Sequence, residues 1–149
     1  MKKNVFTCFL LVTLSILTIE LNAQAIIDIK VKNPSNEKER TMMLDILRAN
    51  LYQQYKQELI FEVKHFKMSA GFAWFMGNAA RKDGKPVKTG EYSDGTHVEA
   101  LFTKKGDKWY LAESGAFSTD MWWSGISWNY PKAPKGIFDE VANIKPQDE

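Results

Sequence analysis

One amphipathic helical pattern limits the folds that are open to this chain. After the sequence "NPSNEKER", apolar side chains recur at helical spacing, at Met43, Leu44, Leu47, Leu51 and Tyr55. Ser35 or Asn36 can cap the first turn, and Glu39, three residues after Asn36, completes a capping-box pattern. Because a helix with a single apolar stripe needs one surface to bury it, the rest of the chain must supply a second layer.

The sequence after the helix predicts β-hairpins. The runs "ELIFEVKHFKM" and "GFAWFMGNAA" are rich in β-branched and aromatic residues, and a short Ser69-Ala70 turn separates them. Pairing of Met68 with Gly71 would place large side chains on one face, namely Phe61, Val63, His65, Phe72, Trp74 and Met76. We therefore expect a sheet with one large-residue face directed toward the core.

The sequence "HVEALFTKKGDKWYLAESGAF" predicts a second hairpin around Lys105-Gly106. An even-numbered loop would place Val98, Ala100 and Phe102 on one face with Trp109 and Leu111. A three-residue loop would instead bring Tyr110 and Ala112 to that face. The first arrangement is favoured because it buries more aromatic area.

These elements predict an α+β fold in which one long N-terminal helix packs on a curved four-stranded antiparallel meander. A short aromatic C-terminal segment is expected to close the core. The order of helix and meander resembles the cystatin-like and NTF2-like group of α+β folds. The stretches "LRANLYQQYKQELIFEVKHFKMSAGFAWFMGNA", "DGTHVEALFTKKGDKWYLAESGAFSTDMWW" and "YPKAPKGIF" also resemble small exported bacterial domains of unassigned function. This resemblance implies a fold and a location rather than a reaction.

Residues 1–24 are predicted to be a cleaved signal peptide. Lys2 and Lys3 precede an apolar run, and Ala23 and Ala25 offer small side chains for cleavage. The run is short for a membrane span, although an uncleaved anchor is the alternative. We expect a periplasmic or secreted protein with one domain over residues 25–149. Its predicted parts are a lead-in (25–34), a long polar loop (81–96) and a polar tail (139–149). The alternating sequence "AIIDIKVK" within the lead-in could also form a short strand.

The composition of the exported chain excludes several chemistries. Cys8 is the only cysteine and lies inside the predicted signal peptide, so the remaining chain has no disulfide, thiolate zinc site or cysteine nucleophile. Removal of Lys2, Lys3 and Glu20 with the signal peptide lowers the net charge from +2 to +1 (18 basic minus 17 acidic residues), which argues against a nucleic-acid-binding protein, since that class needs a concentrated basic face. We expect no cofactor, no metal ion and no membrane span after signal cleavage.

Four titratable residues are weak candidates for acid–base catalysis. His97 and Glu99 would share a strand face, either as a reactive pair or as a solvated local ion pair. His65 beside Trp74 is expected to be a packed, hydrogen-bonded histidine, with a position at the mouth of a cavity as the alternative. Glu113 would continue the face of Trp109 and Leu111 as a buried proton carrier, or lie at the rim of the sheet or in an ion pair with Arg40, Arg48 or Lys64.

The stretch "TDMWWSGISWNYPKAP" concentrates aromatic residues. Asp120 is expected to cap a short helix, which would turn Trp122 and Trp123 about 100° apart. One ring would pack under the sheet and the other would be partly exposed. Closure of the core is the favoured interpretation, and a ligand-binding rim of Trp122, Trp123, Trp128 and Tyr130 is the alternative.

These patterns favour a non-catalytic exported binding or interaction module over an enzyme. Its partner would be a small molecule, a glycan or another exported protein. The alternative is a small periplasmic hydrolase or isomerase that uses His65 and Glu113, or His97 and Glu99. An inhibitor or immunity-type protein, with the polar loop as its wedge, is not separated from the first interpretation by the sequence.

Overall fold

A computed structural model describes residues 25–90 and 93–146 of the chain. The predicted signal peptide, residues 1–24, and the last three residues of the predicted tail lie outside the described residues. Residues 91–92, within the predicted polar loop, also lie outside them.

The predicted helix is confirmed as α1, Glu37–Tyr55, and it ends at Lys56 in the left-handed conformation. Its buried residues are Met43, Leu44, Leu47 and Leu51, which belong to the expected stripe. The predicted capping box is wrong, because Asn36 makes no side-chain cap hydrogen bond. Asn36 is buried, and its Oδ1 instead accepts the backbone N–H of Asn33 at 3.0 Å. Glu39 forms an ion pair with Lys104.

Five antiparallel strands follow one another across a single sheet: β1 (Ile27–Asp28), β2 (Leu59–Ser69), β3 (Phe72–Arg81), β4 (Ser93–Lys105) and β5 (Lys108–Ser118). The sheet thus has one strand more than the four expected. The additional strand, β1, is two residues long and lies in the predicted lead-in. The connection between β3 and β4 is shorter than the predicted loop 81–96.

The β2–β3 hairpin turns one residue later than predicted. Ser69 pairs with Phe72, and the turn residues Ala70 (φ 52) and Gly71 (φ 76) both have left-handed backbone. Two consecutive residues with positive φ match the twist of a tight two-residue hairpin. Gly71 supplies this conformation without steric cost, which explains why the turn is centred there.

A bulge between Val63 and His65 divides β2 into two parts, and the alternation of side chains between the two faces of the sheet is reversed from one part to the other. Val63 pairs with Gly77, whereas His65 pairs with Met76. Because one extra residue inverts the alternation of side chains, the predicted shared face of Phe61, Val63 and His65 is wrong. The sheet therefore presents large side chains on both faces, and the expected single core-facing side is not found.

The second hairpin has the even-numbered loop that was favoured. Lys105 pairs with Lys108, and Phe102 pairs with Leu111. A further irregularity follows, because Leu101 pairs with Glu113 and leaves Ala112 without an opposite residue. Glu113 consequently points to the face opposite Leu111, so the prediction that it continues the face of Trp109 and Leu111 is wrong.

Two hydrophobic cores cover the two faces of the sheet. The inner core lies between α1 and the sheet and includes Phe66, Phe75, Phe102, Trp109 and Phe117 with the buried helix residues. The outer core lies on the opposite face and includes Trp74, Leu101, Trp123, Ile126, Ile137 and Phe138. We call residues 119–144 the outer segment, since its side chains form most of this second core. The aromatic C-terminal residues thus cover the second face of the sheet rather than an open end of the helix-on-sheet core.

The predicted polar tail is partly an ordered component of the outer segment. Ala142 is fully buried, and the backbone oxygen of Val141 accepts the N–H of Gly125 at 3.0 Å. The N–H of Ser127 similarly donates to the carbonyl of Ala142 at 3.0 Å. These contacts fix the chain after Asp139 against the preceding turn.

Candidate functional site

The outer segment turns tightly before it crosses the sheet. Residues 122–125 form a turn, and Gly125 (φ 72) precedes a short 3-10 helix, Ile126–Asn129. Because this helix begins after Gly125, Asp120 does not cap it, and the prediction of an Asp120 cap is wrong. The backbone N–H of Asp120 donates to Ser118 Oγ at 3.0 Å.

A chain of ring contacts runs along the outer face of the sheet. Ring centroids lie 6.4 Å apart for Trp74 and Trp122, and 6.3 Å apart for Trp122 and Trp123. The Trp123 ring then lies 5.4 Å from the ring of His97. Trp123 is 8 % exposed and Trp122 is partly buried. Both indoles therefore contribute to the outer core.

The His97 ring and the Glu99 carboxyl group are in direct contact beside this chain. Nδ1 of His97 lies 2.8 Å from Glu99 Oε1, and Nε2 lies 2.7 Å from the backbone oxygen of Ser118. A carbonyl oxygen only accepts hydrogen bonds, so Nε2 carries a proton. The contact with Glu99 then needs a second proton, held either on Nδ1 or on the carboxyl group. The pair therefore shares a proton whenever both hydrogen bonds are present.

Glu99 is the buried member of this pair, at 1 % exposure. Burial raises the pKa of Glu99, while hydrogen bonds from His97 and Trp122 oppose that rise. The bond from Trp122 joins the indole Nε1 to Glu99 Oε2 over 3.2 Å. The negative charge of Asp139 adds to the rise. The expected ion pair is thus present as a contact, but the expectation of a solvated strand face is wrong.

His65 lies in the same cross-strand row as Glu99, with Met76 of β3 between them. Its Nε2 donates to the backbone oxygen of Ile137 at 2.6 Å. The side chain is partly buried. This bond joins β2 to the outer segment.

Glu113 is exposed and accepts a hydrogen bond from the hydroxyl group of Tyr130 at 2.7 Å. Burial of the phenol and this contact with Glu113 raise the pKa of Tyr130 to about 12. Neither the predicted buried position of Glu113 nor an ion pair with Arg40, Arg48 or Lys64 is found among the described contacts.

Trp128 is the exposed tryptophan of the aromatic stretch, at 46 %. The ammonium group of Lys135 lies 3.9 Å from the centre of its ring. Its indole Nε1 donates to the backbone oxygen of Asn143 at 3.2 Å. One face of the ring is thus occupied by a cation, and the edge is anchored to the outer segment.

An open groove of about 540 Å³ lies between the end of α1 and the start of β2. Its lining includes Arg48, Tyr52, Gln57, Leu59, Ile60 and Lys82. A hollow of about 360 Å³ continues it, sharing Tyr52, Gln57, Glu58 and Lys82 and adding Lys56, Arg81 and Asp83. We call the two together the helix–strand groove. None of the site residues predicted from the sequence is among the residues that line it.

Sequence analysis missed the helix–strand groove, apart from placing Arg81 and Lys82 in a loop of possible function. The one signal in the sequence is an aromatic residue, Tyr52, outside the predicted apolar stripe of the helix, and its side chain is 46 % exposed. Ile60 is 47 % exposed and lies at the start of β2, a strand that was expected to pack one face against the core. Each residue alone is ordinary, because single exposed apolar side chains are common on protein surfaces.

Across residues 25–90 and 93–146, no group of three or more metal-ligating side chains could hold a metal ion. None of the helices in this part of the chain has the length and apolar character needed to cross a membrane.

No protein family model, curated protein or solved structure matches this chain.

Proposed function

We propose that this protein is an exported, non-catalytic binding module that contacts its ligand through the helix–strand groove. The observation that carries this proposal is the lining of the groove. Two exposed apolar side chains, Tyr52 and Ile60, lie there beside basic groups such as Lys82. A concave surface that combines apolar contact area with a few charges is typical of ligand-binding sites.

The structural roles of the titratable candidates support binding over catalysis. Acid–base catalysis needs groups that can converge on one ligand. His65 is bonded to a backbone carbonyl, Glu113 to a tyrosine hydroxyl, and Glu99 is buried against His97. A small periplasmic hydrolase or isomerase using these residues is the alternative proposal, and it would require Glu99 or His65 to give up its present partner.

The aromatic stretch offers a second possible contact, through Trp128. Of the four predicted ligand-binding residues, Trp122, Trp123 and Tyr130 are at least partly buried, whereas Trp128 is 46 % exposed. Lys135 already lies over one face of the Trp128 ring. We therefore propose Trp128 as a contact at the margin of a binding surface, and the groove as the principal one.

The location and the fold family are parts of the same proposal. A basic pair followed by an apolar run in residues 1–24 supports export through a cleaved signal peptide. A helix that precedes an antiparallel meander supports the resemblance to cystatin-like and NTF2-like domains. Neither feature identifies the ligand, which is sought among small molecules, glycans and exported proteins.

A capture experiment tests the binding role. The purified protein is immobilised, incubated with the exported fraction of its own host, and the retained molecules are identified by mass spectrometry. Wild type is compared with Tyr52→Ala, Trp128→Ala and Tyr110→Ala. Tyr110 is a matched control for Tyr52, because both are 46 % exposed and Tyr110 lies on the β4–β5 hairpin.

We expect a retained molecule whose capture is reduced by Tyr52→Ala and unchanged by Tyr110→Ala. Loss with Trp128→Ala alone would move the binding surface to the outer segment. Equal capture by all four proteins would contradict the proposal, and so would conversion of the captured molecule by the wild type that Glu99→Gln abolishes.

A further inference from the structure

Strand β2 has a free edge beside the helix–strand groove. β3 pairs with β2 from Leu59 to Ser69, whereas β1 reaches only Lys67 and Met68 on the other side. One further bond there joins the N–H of Ile29 to the oxygen of Phe66. In the described ranges, no strand pairs with residues 59–65 on that side. Backbone groups of this stretch that do not face β3 are available to another strand, on either side of the bulge between Val63 and His65.

The groove meets this edge where β2 begins. Leu59 and Ile60 belong both to the unpaired part of β2 and to the groove lining. A strand added to β2 would therefore have one end at the groove, where its alternate side chains would face the lining. Tyr52 from α1 offers exposed apolar surface to those side chains.

The groove carries an excess of positive charge. Four basic residues, Arg48, Lys56, Arg81 and Lys82, line it, against two acidic ones, Glu58 and Asp83. Arg81 is bound to Asp83, and Arg48 to Asp45 outside the lining.

The charges that are open to a ligand are those of Lys56 and Lys82. Lys82 lies 3.6 Å from Glu58, and both side chains are mostly exposed. Lys56 donates to the side-chain oxygen of Gln53 at 3.4 Å and lies 5.9 Å from the centre of the Tyr52 ring, and neither partner is a carboxylate. Because exposed pairs of this kind are weak, a ligand carboxylate can compete for both ammonium groups.

We propose that the helix–strand groove binds an extended acidic segment of a partner protein, which adds a strand to the free edge of β2. Backbone hydrogen bonds to residues 59–65 would supply affinity, and acidic side chains near Lys56 and Lys82 would supply selectivity. This inference rests on the proposed binding function and names the class of ligand for it.

Selection from a peptide library tests the ligand class. Short random peptides displayed on phage are selected against the purified protein, and enriched sequences are made synthetically. We expect enriched peptides to be acidic and rich in β-forming residues, with affinities that fall as salt is added. Enrichment of basic or uncharged sequences, or of none, would overturn the proposal.

Variants then locate the bound peptide. The double change Lys56→Glu and Lys82→Glu is expected to weaken the best peptide about tenfold. Lys38→Glu with Lys132→Glu changes the net charge equally and is expected to leave affinity unchanged. Lys38 is exposed near the start of α1, and Lys132 is exposed in the outer segment. Equal losses in the two double variants would contradict binding at the groove.

Peptide N-methylation separates strand addition from simple charge capture. Two peptides are made, one methylated on the odd-numbered and one on the even-numbered backbone nitrogens. Only one of them should lose binding, because only one set of N–H donors faces β2. Equal affinity of all methylated forms would overturn strand addition. Concentration-dependent self-association that buries the same edge, measured by analytical ultracentrifugation, would assign it to a second copy of this chain instead.

The two proposals can fail separately. If selected peptides bind but respond to Trp128→Ala and not to the lysine changes, the groove inference fails and the binding function stands. If capture from the host fraction is sensitive to Tyr52→Ala but the captured molecule is a glycan, the strand-addition inference fails alone. Absence of both peptide enrichment and host capture would contradict both proposals.

Discussion

Trp122 occupies the space that a side chain on Gly115 would need. A Cβ atom on Gly115 would lie 2.2 Å from Trp122 Nε1 and 2.5 Å from its Cε2. The same Nε1 donates to Glu99 Oε2 at 3.2 Å, and Glu99 pairs with Gly115 across β4 and β5. The bare backbone of β5 at this point lets the indole reach the buried carboxyl group.

Gly115→Ala should therefore destabilise the protein by displacing Trp122. We expect the free energy of unfolding to fall by about 1–3 kcal/mol, as is usual for overpacking. Urea denaturation followed by tryptophan fluorescence measures it. Gly90→Ala is the matched control, because a Cβ on Gly90 would have no atom within 4 Å. A fall of the same size in both variants would show that the contact with Trp122 is not the cause.

The buried carboxyl group of Glu99 predicts a pH dependence. Burial raises the pKa of Glu99 in the folded protein above the ordinary 4.5. Its favourable contribution to folding is then complete below that ordinary pKa and is lost as the pH rises through the raised pKa. Glu99→Gln keeps an acceptor for Trp122 and offers an amide donor to His97 Nδ1, without a titrating group.

We therefore expect the wild type to lose stability relative to Glu99→Gln as the pH rises above 4.5 toward neutrality. Urea unfolding at a series of pH values measures this difference, and a pH-independent difference would contradict it. Comparison of Glu99→Ala with Glu99→Gln distinguishes the loss of the two hydrogen bonds from the loss of the titrating proton. Glu99→Ala should be less stable than Glu99→Gln by about 1–3 kcal/mol, because two polar groups lose their partner.

Local periodicity was sufficient to predict the main elements of the inner core. The apolar stripe of α1 predicts its buried residues, and the even-numbered loop predicts the shared face of Phe102, Trp109 and Leu111. Both depend on regular alternation over several residues, which a sequence displays directly. The helix-on-sheet class follows from these two features.

The outer core could not be predicted, because single extra residues reverse the facing of a strand. The bulge at Val63/His65 separates Phe61 and Val63 from the face of His65, and the one at Ala112 moves Glu113 to the face opposite the one expected. Nothing in the local composition marks either position. The burial of Glu99 was missed for a related reason, since it depends on Trp122, which is distant in sequence. The helix–strand groove likewise combines the end of α1 with the start of β2.

Asp139 links the outer segment to the sheet, and its replacement by Asn should weaken that link. Its Oδ2 accepts the indole N–H of Trp74 at 2.7 Å, and its Oδ1 accepts the backbone N–H of Val141 at 2.8 Å. In Asp139→Asn one oxygen remains, and an amide donor would face the donor of Trp74. Because Trp74 is fully buried, we expect a loss of about 1–3 kcal/mol.

A double-mutant cycle with Trp74→Phe checks this cause. Removal of the indole donor should reduce the cost of Asp139→Asn, and the coupling energy is read from chemical denaturation. Additive losses in the double variant would place the effect of Asp139 elsewhere, for example at its backbone contacts.

The turn of the first hairpin predicts a stabilising change. Ala70 has a φ of 52, which an alanine adopts at a steric cost, and Gly71 follows with a φ of 76. Ala70→Asn would create the Asn-Gly pair that this turn favours, with an expected gain of about 0.5–1 kcal/mol. Thermal denaturation measures the gain. Ala80→Asn, at an exposed position in β3, should give none.

Trp123 and Trp128 should separate the structural and the binding contributions of the aromatic stretch. Trp123→Ala removes a ring that is 8 % exposed and should cost about 3–5 kcal/mol of stability. Trp128→Ala removes a ring that is 46 % exposed, and should cost about 1 kcal/mol through its lost contact with Lys135. Urea denaturation measures both. An equal loss of stability in Trp128→Ala and Trp123→Ala would show that Trp128 belongs to the core. The proposed role of Trp128 as a ligand contact would then be contradicted.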